Sequence, residues 1–283
     1  MPPSEPSRTM VQTAIVRAAH QVLDRPLILE DPLAVGLVPE ASEQAILATE
    51  TDHRSVANTR RRAAVVLRSR FAEDRLADAV ERGVSQYVIA AAGLDTFPWR
   101  QPDFARKIHI YFADLPGSLI WVRARLRQRG LSQPSNLTFV PVDLERRDIG
   151  CQLVKFGFDP RAPTFCSALG IVQFLTAGAV DALLQFAAEA RHQSEIVLSF
   201  TPPDDELGPK EIAGLKLSLE RGENFGERWL TRLRAAELVE RFERFGFRKI
   251  VHLTPEMAQQ RYFGDRTDAL SAPRTGQVIA AII

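Results

Sequence analysis

Short unbroken apolar runs alternate along the chain with longer stretches in which apolar residues recur every three or four positions. Residues 87–92 carry no polar side chain, which suits a strand buried on both faces of a helix-covered parallel sheet. The strand is placed at 86–91, and similar runs predict strands at 108–113, 136–144, 165–172, 195–200, 247–253 and 276–283. Helical spacing predicts helices over 13–23, 52–82, 118–129, 176–192, 210–219 and 231–245. Pro26 stops the first of these, and Gly83 is a natural terminator for the second. The turn at 30–34 feeds one more short helix. Strands alternating with amphipathic helices imply an α/β protein with a mostly parallel, seven-stranded sheet and helices on both faces. Residues 1–82 are expected to form a helical cap, and residues 83–283 the core. Within that core the polar loop and helix of about 201–230 interrupt the rhythm where a lid would sit. The Pro/Ser-rich residues 1–8 are expected to be poorly ordered.

Chemistry concentrates where the first strand ends. Ala90, Ala91, Ala92 and Gly93 are small, so a ligand can approach the backbone closely. In open α/β sheets ligands lie beyond the carboxyl ends of the strands. Asp114 follows Gly93 by 21 residues and closes the second apolar run, where an acid can accept hydrogen bonds from ribose hydroxyls. This pattern predicts a nucleoside site. A helix N-cap is the competing role for Asp114 and for Asp143. The arginines of 52–82 read mainly as a solvated face. The five histidines show no metal-ligand spacing, and His20 alone is a candidate base at a substrate site. No G-x-S-x-G elbow and no phosphate-binding G-x-x-x-x-G-K-[ST] loop occurs.

Composition narrows the partners. The 283 residues carry 36 basic and 35 acidic side chains, a net charge of +1. That balance offers no broad basic surface for nucleic acid or an anionic membrane. Cys151 and Cys166 lack paired spacing and read as reduced thiols. No run approaches the roughly 18 apolar residues of a membrane span, and no signal peptide is visible. A cytoplasmic protein acting on a small molecule is expected.

Several ordered motifs carry a family resemblance: Asp31-Pro32-Leu33-Ala34, Arg68-Ser69-Arg70-Phe71, Gly93-Leu94-Asp95-Thr96, Asp114-Leu115-Pro116, Val142-Asp143-Leu144, Leu169-Gly170-Ile171 and Arg261-Tyr262-Phe263. Over roughly residues 7–265 the chain resembles bacterial class I S-adenosylmethionine-dependent methyltransferases related to leucine carboxyl methyltransferase. The resemblance implies a Rossmann-like fold and S-adenosyl-L-methionine as cofactor. It implies that Arg70 holds the cofactor carboxylate, that Ala91 and Gly93 give room to methionine and ribose, that Asp114 binds the ribose hydroxyls, and that Leu115 belongs to the cofactor site. Asp143 and Leu144 would flank adenine, and Leu169 would line the pocket beside the sulfonium. Three positions depart from the family pattern: Ala91 replaces a usual glycine, Phe174 replaces a frequent aromatic hydroxyl, and Leu169 replaces the acid of carboxyl-methylating relatives.

The leading expectation is an O-methyltransferase acting on a carboxyl or hydroxyl group. An NAD-dependent oxidoreductase is the alternative enzyme, although residues 90–96 lack the G-x-G-x-x-G pattern. A non-catalytic S-adenosylmethionine-binding protein is the alternative outside catalysis, motivated by the three departures.

Overall fold

The computed structural model describes residues 7–47, 55–190 and 192–283. Its sheet has seven strands: β1 Gln86–Ala90, β2 His109–Asp114, β3 Leu137–Pro141, β4 Thr164–Ala168, β5 Glu195–Phe200, β6 Lys249–Leu253 and β7 Gln277–Ile282. They are ordered β3-β2-β1-β4-β5-β7-β6, with β7 antiparallel to both neighbours and the remaining pairs parallel.

Side-chain alternation explains why these runs form a central sheet. Tyr87, Ile89, Ile110 and Phe112 enter one buried cluster, whereas Val88, Ala90, Tyr111 and Ala113 enter the other. Successive strand residues point to opposite faces, so a wholly apolar strand can feed two cores. Helices cover both. In chain order they are α1 Arg8–Leu23, α2 Ala34–Leu37, α3 Glu40–Leu47, α4 Val56–Glu81, α5 Phe97–Arg100, α6 Pro116–Gln128, α7 Ile149–Lys155, α8 Ala177–Ala188, α9 Pro209–Asn224, α10 Ala235–Arg244 and α11 Pro255–Ala258. Residues of α1 and α4 join the first cluster; residues of α7, α8 and α10 join the second.

The expected strands all occur: β5 has the expected ends, β2 is shifted one residue onward, β4 starts one residue early and stops four short, and the other four are trimmed. β4 stops at Ala168 because Leu169 leads into Gly170, whose φ of +77° turns the chain away. α1 starts earlier than its periodicity suggests, because Ser7 accepts a hydrogen bond from Met10 N and caps it. Residues 1–6, the bulk of the segment expected to be poorly ordered, lie outside the described residues, as do 48–54 at the front of the expected 52–82 helix. α3 and α7 were not legible as separate helices. Among the described residues no helix is long and apolar enough to cross a membrane.

β1 and β4 are neighbours whose onward connections leave in opposite directions, β1 toward β2 and β3, β4 toward β5. Their carboxyl ends therefore form the topological switch point where open α/β sheets bind ligands.

Candidate cofactor and acceptor site

A cavity of about 860 Å³ opens at that switch point, near the top of the range of about 300–1,000 Å³ for small-molecule sites. Its floor comes from the ends of β1, β2 and β4. The left-handed turn after β1 passes through Ala91 at φ +55° and Gly93 at φ +58°. Glycine is the residue that accepts this region without strain, so the alanine at 91 holds a conformation that a glycine would adopt more easily. A Cβ on Gly93 would lie 3.0 Å from Met10 Cγ of α1; the α1 side chain seals the turn from above.

Asp114 closes β2 and is tied to this turn. Its Oδ2 accepts from Gly93 N at 2.7 Å and its Oδ1 from Leu115 N at 2.7 Å. It does not cap α6, whose N-cap is Leu115. Burial pushes the Asp114 carboxyl above its usual range, while hydrogen bonds from Gly93, Leu115 and Ser118 draw it back. Asp143 caps the short 3₁₀ turn Leu144–Arg146 through Glu145 N, 3.1 Å away, and also lines the cavity beside Leu144. The cap and the ligand-facing position are thus compatible for this residue.

Of the residues expected at the cofactor site, Ala91, Gly93, Asp114, Leu115, Asp143, Leu144 and Leu169 all line the cavity. Arg70 does not. Its side chain is exposed and its Nε donates to Asp74 Oδ1 at 2.8 Å, one turn along α4. Arg68 lines the cavity instead. Two residues correspond to about 200° around a helix of 3.6 residues per turn, so one arginine faces inward and the other outward. The Arg68 guanidinium lies against Gly170, where any Cβ would overlap it. Among the described residues it makes no hydrogen bond or ion pair, and burial, with Arg17 nearby, pushes its pKa down to about 10. A half-buried guanidinium without a partner is suited to a ligand carboxylate. The signal that could have found it was α4 periodicity, since Ala57, Arg61, Ala64, Val65 and Arg68 share the cavity face.

The turn after β1 is braced from the cap. Arg17 Nη1 donates to Leu94 O at 3.4 Å and lies 3.8 Å from both Asp31 Oδ2 and Asp95 Oδ1. Thr96 Oγ1 donates to Asp31 Oδ2 at 2.6 Å. These contacts give the Asp31 and Asp95 motifs a structural task. His20 lies elsewhere. It is fully buried; its Nε2 accepts from Ile28 N at 3.1 Å, which leaves Nδ1–H to donate to Asp24 Oδ2 at 2.8 Å. Arg62 completes the group with two bonds to Asp24. His20 therefore holds α1 to α4 and does not reach the cavity. Among the described residues no histidine lines it and no group of side chains could hold a metal. His53 lies outside the described residues.

The cavity continues past the strand ends to α4, α9 and residues 271–276. Here Phe174 packs edge-on against Trp229 with centroids 6.0 Å apart. Glu227, following α9, accepts from Arg8 N at 3.0 Å, from Thr9 N at 3.1 Å and from the Thr9 hydroxyl. Its carboxylate thereby caps α1 and closes one side of the cavity.

The chain resembles known proteins along most of its length. A Mycobacterium marinum (strain ATCC BAA-535 / M) protein, provisionally named an S-adenosyl-L-methionine-dependent methyltransferase, is 35% identical over 188 residues, 62% of this chain and 59% of that protein. This alignment thus spans about three fifths of the mycobacterial relative. YktD of Bacillus subtilis (strain 168), provisionally given the same description, is 26% identical over 99% of this chain and 98% of its own. A solved Thermobifida fusca structure described as a methyltransferase superposes with TM-score 0.60 at 17% identity, covering 98% of this chain and 95% of that one. At that identity the likeness concerns the fold. The leucine carboxyl methyltransferase family matches residues 10–188, the span that holds the turn after β1, Asp114, Asp143 and Arg68, and the chain belongs to that family.

Proposed function

We propose that the protein is an S-adenosyl-L-methionine-dependent methyltransferase acting on an oxygen, carboxyl or hydroxyl, of a small molecule. The observation that carries the reading is the switch-point cavity in which Asp114, fixed to Gly93 N, and the unpartnered Arg68 face a common space. These residues fit the cofactor: a carboxylate for ribose hydroxyls at one end, a guanidinium for the methionine carboxylate at the other. The membership of residues 10–188 in the leucine carboxyl methyltransferase family supports it. The antiparallel β7 favours it over the nicotinamide alternative, whose doubly wound sheet is mostly parallel throughout.

When bound, S-adenosylmethionine supplies a methyl group already activated by its sulfonium. The chain then has to bind, align and exclude water. Asp114 fixes the ribose end, Asp143 and Leu144 flank the adenine, and Arg68 takes the role first assigned to Arg70. Leu169 and Phe174 supply apolar walls beside the reacting atoms. A carboxylate acceptor attacks as it stands, whereas a hydroxyl has to lose its proton to a base. The carboxylates in the outer cavity are Glu211 and Glu227, and Glu227 is engaged in capping α1. In this reading α1 and α4 close one side of the site, and α9 with residues 225–230 closes the other.

The test is incubation with isotopically methyl-labelled cofactor and paired acids and alcohols, read by mass spectrometry. Label recovered in an ester or ether supports the reading. Tight cofactor binding with no transfer to any acid or alcohol, and label only in amines or carbon centres, contradicts oxygen as the acceptor.

A further inference from the structure

Beside the main cavity lies a second one of about 230 Å³, lined by Gln12, Ile15, Val16 and Ala19 of α1, by Asn58, Arg61 and Arg62 of α4, and by Arg221 and Phe225 at the end of α9. Gln12, Arg61, Arg221 and Phe225 line both cavities, so the small one is a side chamber of the large one. Its walls are apolar, amide and cationic, Arg61 Nη1 lies 3.5 Å from Asn58 Oδ1 and donates to it, and among the described residues no carboxylate lines the chamber. Arg62 is matched by its two bonds to Asp24. The Arg221 side chain makes no hydrogen bond or ion pair among the described residues. The outer part of the main cavity has the same bias: Arg60, Arg61, Arg221, Arg228 and Arg274 line it against Glu211 and Glu227. The strand-end part is the reverse, with Asp95, Asp114, Asp143 and Glu145 against Arg17 and Arg68.

We propose that the methyl acceptor is an amphipathic small-molecule anion, its charged group held by Arg61 and Arg221 at the junction of the two cavities and its apolar body running between Phe225 and the Phe174–Trp229 pair. This rests on the methyltransferase reading of the site and names the acceptor class it takes. Arg61 stands seven residues before Arg68 on α4, about 10 Å along the helix axis. Arg68 touches Gly170 at the end of β4, so the bound anion is an anchor set back from the reacting atom. Two guanidiniums can grip a carboxylate, sulfate or phosphate through paired donors, and burial beside Ile15 and Phe225 strengthens that grip relative to open water.

Paired probes test this, 4-phenylbutyrate and 4-phenylbutan-1-ol, titrated calorimetrically with and without saturating S-adenosylhomocysteine. The acid is expected to bind at least about tenfold more tightly than the alcohol, the advantage of a charge-assisted hydrogen bond. Arg221→Gln and Arg61→Gln are each expected to remove that preference while S-adenosylhomocysteine affinity stays within about twofold, which also shows that the variants are folded. Equal binding of acid and alcohol, binding of neither, or an acid preference that survives both substitutions overturns the proposal. Failure of the unaltered protein to bind S-adenosylhomocysteine overturns the methyltransferase reading instead, and the acid-to-alcohol ratio is then still read from the titrations without it.

Discussion

The two halves of the cavity are built differently. The strand-end half is made from the backbone of the core: Gly93 N on Asp114, the left-handed turn through Ala91, and Gly170 against Arg68. The outer half is made from side chains on helices, joined by contacts such as Glu227 with Arg8 and Thr9, and Arg60 Nη1 with Lys210 O at 3.0 Å. A constant ligand can be served by geometry that the sheet dictates. A variable one is served by surfaces that change without disturbing the core. On the proposed reading, the first half recognises the cofactor and the second chooses the acceptor.

The largest expected effect separating them is at Asp114. Asp114→Ala removes a charged acceptor and leaves Gly93 N without its partner, so S-adenosylhomocysteine affinity should fall by about 100-fold, from about 1.5–3 kcal/mol per charged hydrogen bond. The same carboxyl gives a pH signature. Its pKa in the folded protein is raised, and the ionised form is the better acceptor for ribose hydroxyls. Affinity should therefore decline as pH falls through that raised value, earlier than an ordinary carboxylate would dictate, and the Ala variant should lose this dependence.

Next comes the arginine pair on α4. Arg68→Ala should weaken S-adenosylhomocysteine binding by about tenfold or more, whereas Arg70→Ala should change it by less than about twofold, since its partner Asp74 is outside the cavity. Equal effects at both positions would dissolve the assignment of Arg68 to the cofactor half. Glu227→Ala probes the outer half: loss of its bonds to the first amides of α1, with the Ser7 cap retained, should lower stability by about 1 kcal/mol, seen as a fall in Tm, with cofactor affinity unchanged. The smallest effect is expected at the turn itself. Ala91→Gly relieves a left-handed alanine worth about 1–2 kcal/mol but adds unfolded-state freedom worth about 0.4–1 kcal/mol. A net gain between zero and about 1.6 kcal/mol should appear in denaturant titrations.

The same contrast explains what was legible in the sequence. Buried strands announce themselves as unbroken apolar runs, and the acid after β2 stands at a characteristic distance from the glycine after β1, so the strands and the meeting of Asp114 and Gly93 at one site could be read directly; the bond from Gly93 N to Asp114 could not. Arg68 and Arg70 lie in one motif, and choosing between them requires knowing which face of α4 turns inward, which neighbouring elements decide. The role of Glu227 joins residues 218 positions apart from Thr9, and no local pattern reports such a contact. His20 was ambiguous for a similar reason: its partners Asp24 and Ile28 N become visible only when α1 is packed.

The most direct test of the central claim is calorimetric titration of the unaltered protein with S-adenosylhomocysteine and, separately, with NADH. Saturable one-to-one binding of S-adenosylhomocysteine with no detectable heat from NADH is the predicted result. Binding of NADH, or none of S-adenosylhomocysteine, would contradict the assignment of the strand-end half to this cofactor.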